Sequence, residues 1–174
     1  MNAIREDDFI QSVADALQFI SYFHPVDYIQ HLGRAWEREQ SPAAKDAIAQ
    51  ILTNSRMCAE GRRPICQDTG IVNLFLKVGM NVRWDTQRSL AEMINEGVRR
   101  AYGHPDNKLR ASVVDDPLFE RRNTRDNTPA VFHVELVPGG EVEVTVAAKG
   151  GGWGSVPDAE LVRYSAELRS LTGG

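Results

Sequence analysis

The stretch Cys66-Gln67-Asp68-Thr69-Gly70 sets a thiol, a carboxamide, a carboxylate and a hydroxyl side by side, directly ahead of an apolar run. A thiolate at such a place can bind a metal ion or an iron–sulfur cluster, with Gln67 and Asp68 close enough to address whatever is bound. The same residues also read as a packed thiol at the end of a turn, with Asp68 capping its own backbone.

Other groups with chemical potential are spread along the chain. Cys58 precedes Cys66 by eight residues. The short spacing of a zinc-binding pair is absent and no second Cys/His pair follows, which favours a packed thiol at Cys58. A small zinc protein built on Cys58, Cys66 and a histidine is the competing metal reading. His24, His31, His104 and His133 are scattered, each with a packed or surface role as the default. Lys149-Gly150-Gly151-Gly152 offers backbone N–H groups that an anionic oxygen can approach closely, although it lacks the pattern of a P-loop. Leu109-Arg110-Ala111-Ser112 and the segment from Arg121 to Pro129 concentrate guanidinium and amide groups. Arginine grips a carboxylate through two parallel hydrogen bonds, so a dicarboxylate would suit such a lining. Asp115, Asp116, Glu120 and Asp126 nearly balance those arginines, as they would in a solvated loop.

The elements that must position these groups follow from periodicity. Phe9, Ile10, Val13, Ala14, Leu17 and Ile20 predict an amphipathic helix over 6–23. Tyr28, Ile29, Leu32 and Trp36 predict a second helix to about Glu39. Ser41-Pro42 starts a third, which runs towards Met57 with Gly61 just beyond. The apolar run Ile71 to Val78 predicts a buried strand, and residues 86–102 return to helical spacing. Ala130 to Leu136 and Glu141 to Ala147 alternate as strands, joined through Val137-Pro138-Gly139-Gly140. A short final helix is expected over 158–169. The expected fold is α+β: an N-terminal helical bundle packed on a mostly antiparallel sheet, with a β-hairpin at about 130–147 as its core.

At 174 residues and 42% hydrophobic, the chain can build a real core. A net charge of −4 argues against nucleic acid as a main partner. No stretch is apolar enough for a membrane span, and the start, MNAIREDDF, lacks the form of a signal peptide. Two cysteines make no disulfide framework, and a cytoplasmic setting is expected.

Taken in order, several motifs resemble the N-terminal catalytic region of class I, iron–sulfur-dependent fumarate hydratases and of the related tartrate dehydratase alpha subunits. The carrying residues are RPICQDTG at 63–70, NEGVRRAY at 95–102, DNKLRASVVDDPLF at 106–119 and RNTRDNTPAVFHVELVPGGEVEVTVAAKGGG at 122–152. The resemblance implies a hydro-lyase interconverting fumarate and malate, or acting on tartrate or another 2-hydroxyacid. It implies a 4Fe-4S cluster held by three cysteines, with an open iron as Lewis acid on the substrate. By the same resemblance Cys66 is a cluster ligand and Asp68 a catalytic residue. Gln67, Arg110 and Gly152 are substrate-binding residues.

The family pattern continues past its triple glycine with Ser-Glu-Asn and a segment carrying the other two cluster cysteines. Here Trp153-Gly154-Ser155-Val156 follow instead. The expectation is therefore a partial N-terminal domain over 1–152 with a divergent tail over 153–174, as in a truncated or frame-shifted product or a genuine fragment. One family ligand stands where three are needed, so the isolated chain is expected to be inactive. A homodimer, a C-terminal domain or a beta subunit is the expected partner. An inactive remnant or docking module is the alternative to an enzyme.

Overall fold

A computed structural model of the chain describes residues 3–66, 70–106 and 109–150. The helix expected over 158–169 and the boundary expected at residue 152 lie outside the described residues.

The chain runs β1 (Ile4–Arg5), α1 (Glu6–Tyr22), α2 (Val26–Arg38), α3 (Pro42–Gly61), β2 (Ile71–Gly79), β3 (Trp84–Asp85) and α4 (Leu90–Gly103). It continues through β4 (Val114–Asp115), β5 (Arg122–Asn123), β6 (Val131–Val137) and β7 (Val142–Lys149). The α+β class is as expected.

Two helices make the core layer. Glu6, Asp7 and Asp8 occupy the first turn of α1, where the helix dipole favours negative charge. Its apolar stripe, Phe9, Ile10, Val13 and Leu17, is buried to 1% exposure or less. Ser89 starts α4 with a capping box, its side chain and that of Glu92 each accepting from the other's backbone N–H. Met93, Ile94, Val98 and Ala101 of α4 complete the layer. Gly97 lets the two helices close, since a Cβ there would lie 2.7 Å from that of Val13. Full burial of each large apolar side chain contributes about 1.5–3 kcal/mol, so this layer is a principal source of stability.

The helical bundle is narrower than expected. No residue of α2 is buried, and α3 buries only Ser55 and Cys58. These two helices pack mainly on each other, with Lys45 Nζ lying 4.3 Å from the Trp36 ring centre.

The main sheet has the order β6-β2-β7 and corrects the expected hairpin. Both strands form close to where they were expected, but they flank β2 and do not pair with each other. β2 runs parallel to β6 and antiparallel to β7, so the sheet is mixed and not mostly antiparallel. The connection between β6 and β7 wraps over the end of β2. Gly79 N–H donates to Glu141 O at 2.8 Å, Met80 N–H to Val137 O at 2.8 Å and Asn81 N–H to Gly139 O at 2.9 Å. Only glycine fits at position 79, because a Cβ would meet Gly139 O at 2.5 Å. The turn-forming residues at 138–140 thus straddle a strand end.

β2 is buried on one face only. Val72, Leu74, Leu76 and Val78 join the core. Ile71, Phe75 and, on β6, Val131 are over 40% exposed on the opposite face. The continuous apolar run predicted a strand covered on both sides, and α1 and α4 cover one.

Candidate active site

The first residue of β2 stands opposite the last of β7, Ile71 against Lys149. This pairing brings Gly70, just ahead of β2, to Gly150, just after β7. The approach is close: a Cβ on Gly70 would lie 2.3 Å from Lys149 O and 2.6 Å from Gly150 N. Gly70 also holds φ at +67°, in the left-handed region that disfavours a side chain.

Both sides of the Cys66 turn are anchored. Upstream, Ile65 donates its N–H to Ser21 O at the end of α1, at 2.9 Å, and accepts from the Asn54 side chain of α3 at 3.2 Å. Downstream, Gly70 O accepts from Ser112 Oγ at 3.1 Å and from Asn127 Nδ2 at 3.0 Å. Cys66 lies between these points with its residue exposed to solvent. The packed-thiol reading of Cys66 therefore does not hold. Gln67, Asp68 and Gly152 lie outside the described residues.

Arg110 stands two residues ahead of Ser112, whose hydroxyl bonds to Gly70 O. Leu109 is buried in the core, Arg110 is exposed, and Ala111 O accepts from Asn123 Nδ2 at 2.7 Å. Ser112 and Val113 then donate their backbone N–H groups to Asn127 Oδ1 at 2.8 and 3.1 Å. Asn127 is fully buried and takes φ of +62°, a conformation that asparagine tolerates better than most side chains. The polar segment before Pro129 is ordered by such bonds. Asp126 accepts from Thr128 N–H and Oγ1 and from Arg99 Nε of α4, the last at 3.2 Å. Burial alone would raise the Asp126 carboxyl, yet the Thr128 hydrogen bonds and the Arg99 guanidinium hold it below the ordinary range. Asn95 Oδ1 of α4 accepts from Ala130 N–H at 2.9 Å.

The remaining arginines behave differently. Arg122 pairs with Glu120 at 2.9 Å on the surface. An open hollow of about 610 Å³ runs between Asp115, Arg122, Arg125 and Asp126, and its lining includes neither Cys66 nor Arg110. The hollow is therefore separate from the segment that bonds to Gly70 O through Ser112.

Cys58 is a packed thiol. It is buried, with Sγ 3.5 Å from Pro64 O and 3.6 Å from Asn54 Oδ1. Burial pushes the thiol up in pKa, partly offset by Arg63. The two cysteines are not joined in a disulfide. His133 stacks on Phe75 with ring centres 5.2 Å apart, and His24 Nδ1 lies 3.0 Å from Ser55 Oγ. Among the described residues no group of three or more His, Cys, Asp or Glu side chains is placed to hold a metal ion. One exposed thiol fits a single corner of an iron–sulfur cluster. It does not fit a whole one, so these residues alone do not enclose such a group.

Sequence reasoning passed over Asn127 and Ser112 as individual residues. The signal available was Asp126-Asn127-Thr128-Pro129, where an asparagine able to adopt positive φ precedes a Thr-Pro pair. Among the described residues no helix is long and apolar enough to cross a membrane.

The profile of the fumarate hydratase (Fumerase) family matches residues 10–171, running past residue 152. Among similar proteins is a Methanocaldococcus jannaschii protein provisionally named L(+)-tartrate dehydratase subunit alpha. It is 29% identical over 162 residues, covering 91% of this chain and 56% of that protein. Fumarate hydratase 2 of Leishmania major is 30% identical, covering 79% of this chain and 24% of that protein. The anaerobic class I fumarate hydratase of Escherichia coli K12 is 33% identical, covering 66% and 20%. The chain thus spans about half the length of the first of these and a quarter or less of the others.

Proposed function

The chain belongs to the fumarate hydratase family, and on that premise we propose that it forms one wall of a hydro-lyase site for a 2-hydroxy dicarboxylate. The observation that carries this reading is the common anchor of three segments. Gly70 O ties the Cys66 turn to Ser112, two residues past Arg110, while Gly70 itself packs against Lys149 and Gly150.

Removal of water from such a diacid breaks one C–O and one C–H bond and forms a C=C bond. Hydroxide is a poor leaving group and needs a proton, while the neighbouring carbon must give one up. Arg110 binds a substrate carboxylate through two parallel hydrogen bonds, fixing the diacid by one end. The backbone N–H groups of the glycine run, Gly152 among them, receive carboxylate oxygen, and the Gln67 amide orients the substrate. Asp68 exchanges the proton at the oxygen that leaves or is added. Cys66, as a thiolate, would hold one corner of a 4Fe-4S cluster. When bound, that group supplies a Lewis-acidic metal.

The remaining ligands come from outside the described residues, from a second copy, a further domain or a beta subunit. Relatives named as alpha subunits of tartrate dehydratase favour the last. They also make tartrate the second substrate to test beside fumarate and malate. We place the assembled protein in the cytoplasm. The isolated chain, with one thiolate, is inactive. A docking module without catalysis is the rival.

The test is anaerobic purification from the native host together with any bound partner, followed by iron and sulfide quantification, EPR spectra and assays on fumarate, malate and tartrate. Cys66→Ser should lose iron, and Arg110→Ala should raise KM by about tenfold or more, the scale of a lost charged hydrogen-bond pair. Retention of iron and full activity by Cys66→Ser would overturn the reading. Turnover by the isolated chain after reconstitution would overturn its predicted inactivity.

A further inference from the structure

The buried side chain of Asn127 meets both segments on which the proposed site depends. Its Oδ1 accepts from the backbone N–H groups of Ser112 and Val113, at 2.8 and 3.1 Å. Its Nδ2 donates to Gly70 O at 3.0 Å. Ser112 Oγ donates to that same carbonyl at 3.1 Å. A side chain at 0% exposure, bonded at both ends to backbone of two different segments, has no freedom to adapt. Its own backbone is held as well, for the neighbouring Asp126 is tied to Thr128 and Arg99.

We propose that Asn127 is a positioning residue that sets the separation between the segment carrying Arg110 and Gly70, on which the glycine run packs, and so selects diacids over monoacids. The proposal rests on the hydro-lyase reading above. The physical reason is reach. A diacid must meet Arg110 with one carboxylate and the glycine run that starts at Gly150, beside Gly70, with the other. A monocarboxylate uses only one of these contacts and is indifferent to their spacing. A small displacement of one segment against the other is enough to weaken the first kind of ligand and spare the second.

The discriminating variant is Asn127→Asp. Its carboxylate still accepts from Ser112 and Val113 but has no N–H for Gly70 O, and it sets a negative charge against that carbonyl. Ser112→Ala removes the other bond to the same oxygen at little risk to the fold. Competitive inhibition by succinate and by butyrate is measured on the assembled holoenzyme, with kcat and KM for the substrate. Wild type should bind succinate far more tightly. Asn127→Asp should weaken succinate about tenfold while butyrate stays within about twofold, with Ser112→Ala moving the same way by less. In the metal-free chain both variants should shift the Gly70 carbonyl 13C resonance without loss of helical circular dichroism.

Equal weakening of both acids, or a fall in thermal stability alone, makes Asn127 merely structural and overturns the proposal while leaving the hydro-lyase reading intact. Failure of the wild type to prefer succinate overturns that reading, and the proposal with it. If Asn127→Asp does not fold, Ser112→Ala decides: an unchanged succinate preference beside a shifted Gly70 resonance overturns the proposal.

Discussion

Ile71 and Lys149 face each other on the last rung of the β2–β7 ladder, with Gly70 packed beneath the Lys149–Gly150 peptide. This one rung joins the thiol turn to the glycine run, so its geometry should be intolerant of change. Gly70→Ala meets both a left-handed φ of +67° and a carbonyl oxygen 2.3 Å from the new Cβ. A loss of at least about 1–3 kcal/mol in stability is expected, measured by urea denaturation. On the proposed reading, the assembled protein should also lose iron, because Gly70 cannot keep its place. A variant as stable as wild type would contradict the close packing.

The two cysteines should differ sharply towards an alkylating reagent. Cys66 is exposed, whereas Cys58 is buried and its thiol is held in the protonated form by burial. In the native metal-free chain, iodoacetamide at neutral pH should label Cys66 at least about tenfold faster than Cys58, read by peptide mass spectrometry. In denaturant the difference should vanish. Equal rates in the native chain would show that Cys58 is open to solvent.

Asp126 gives a pH-dependent contribution. Its carboxyl is held below the ordinary range in the folded chain, so the unfolded state binds the proton more readily. The contribution is fully present above the ordinary carboxylate pKa and is lost as pH falls through the lower, folded value. Arg99 is half exposed, so solvent screening limits the loss in Asp126→Asn to about 1 kcal/mol at neutral pH. The gap between the two proteins should narrow steadily as pH falls below the ordinary carboxylate range, and shrink in high salt. A gap that widens on acidification would be the wrong sign.

Two glycines offer a contrast in packing. Gly79→Ala places a Cβ 2.5 Å from Gly139 O, where the β6–β7 connection crosses the end of β2. It should destabilise by about 1–3 kcal/mol. Gly33 lies within α2 with nothing within 4 Å of an added Cβ. Gly33→Ala should stabilise by about 0.5–1 kcal/mol, the usual helix gain. Paired thermal melts of the two variants check both, and destabilisation by Gly33→Ala would contradict the open packing of α2.

Local order was legible in the sequence, because it rests on interactions between near neighbours. Apolar spacing marked α1 and α4, Ser41-Pro42 marked the start of α3, and β-branched runs marked β2, β6 and β7 within a few residues. Cys66, Arg110 and the glycine run stood out as residue types with chemical potential, and their roles belong to the proposed function. Partnership was not legible. Alternating strands joined by Pro-Gly-Gly read as a hairpin, since nothing within 130–147 reveals that β2 intervenes. The apolar run of β2 could not tell how many faces are covered, because covering depends on distant α1 and α4. Nor could a polar loop announce that one of its amides, Asn127, is buried and ties Gly70 to Ser112. Those bonds span 57 and 15 residues of chain, and only the folded backbone brings their ends together.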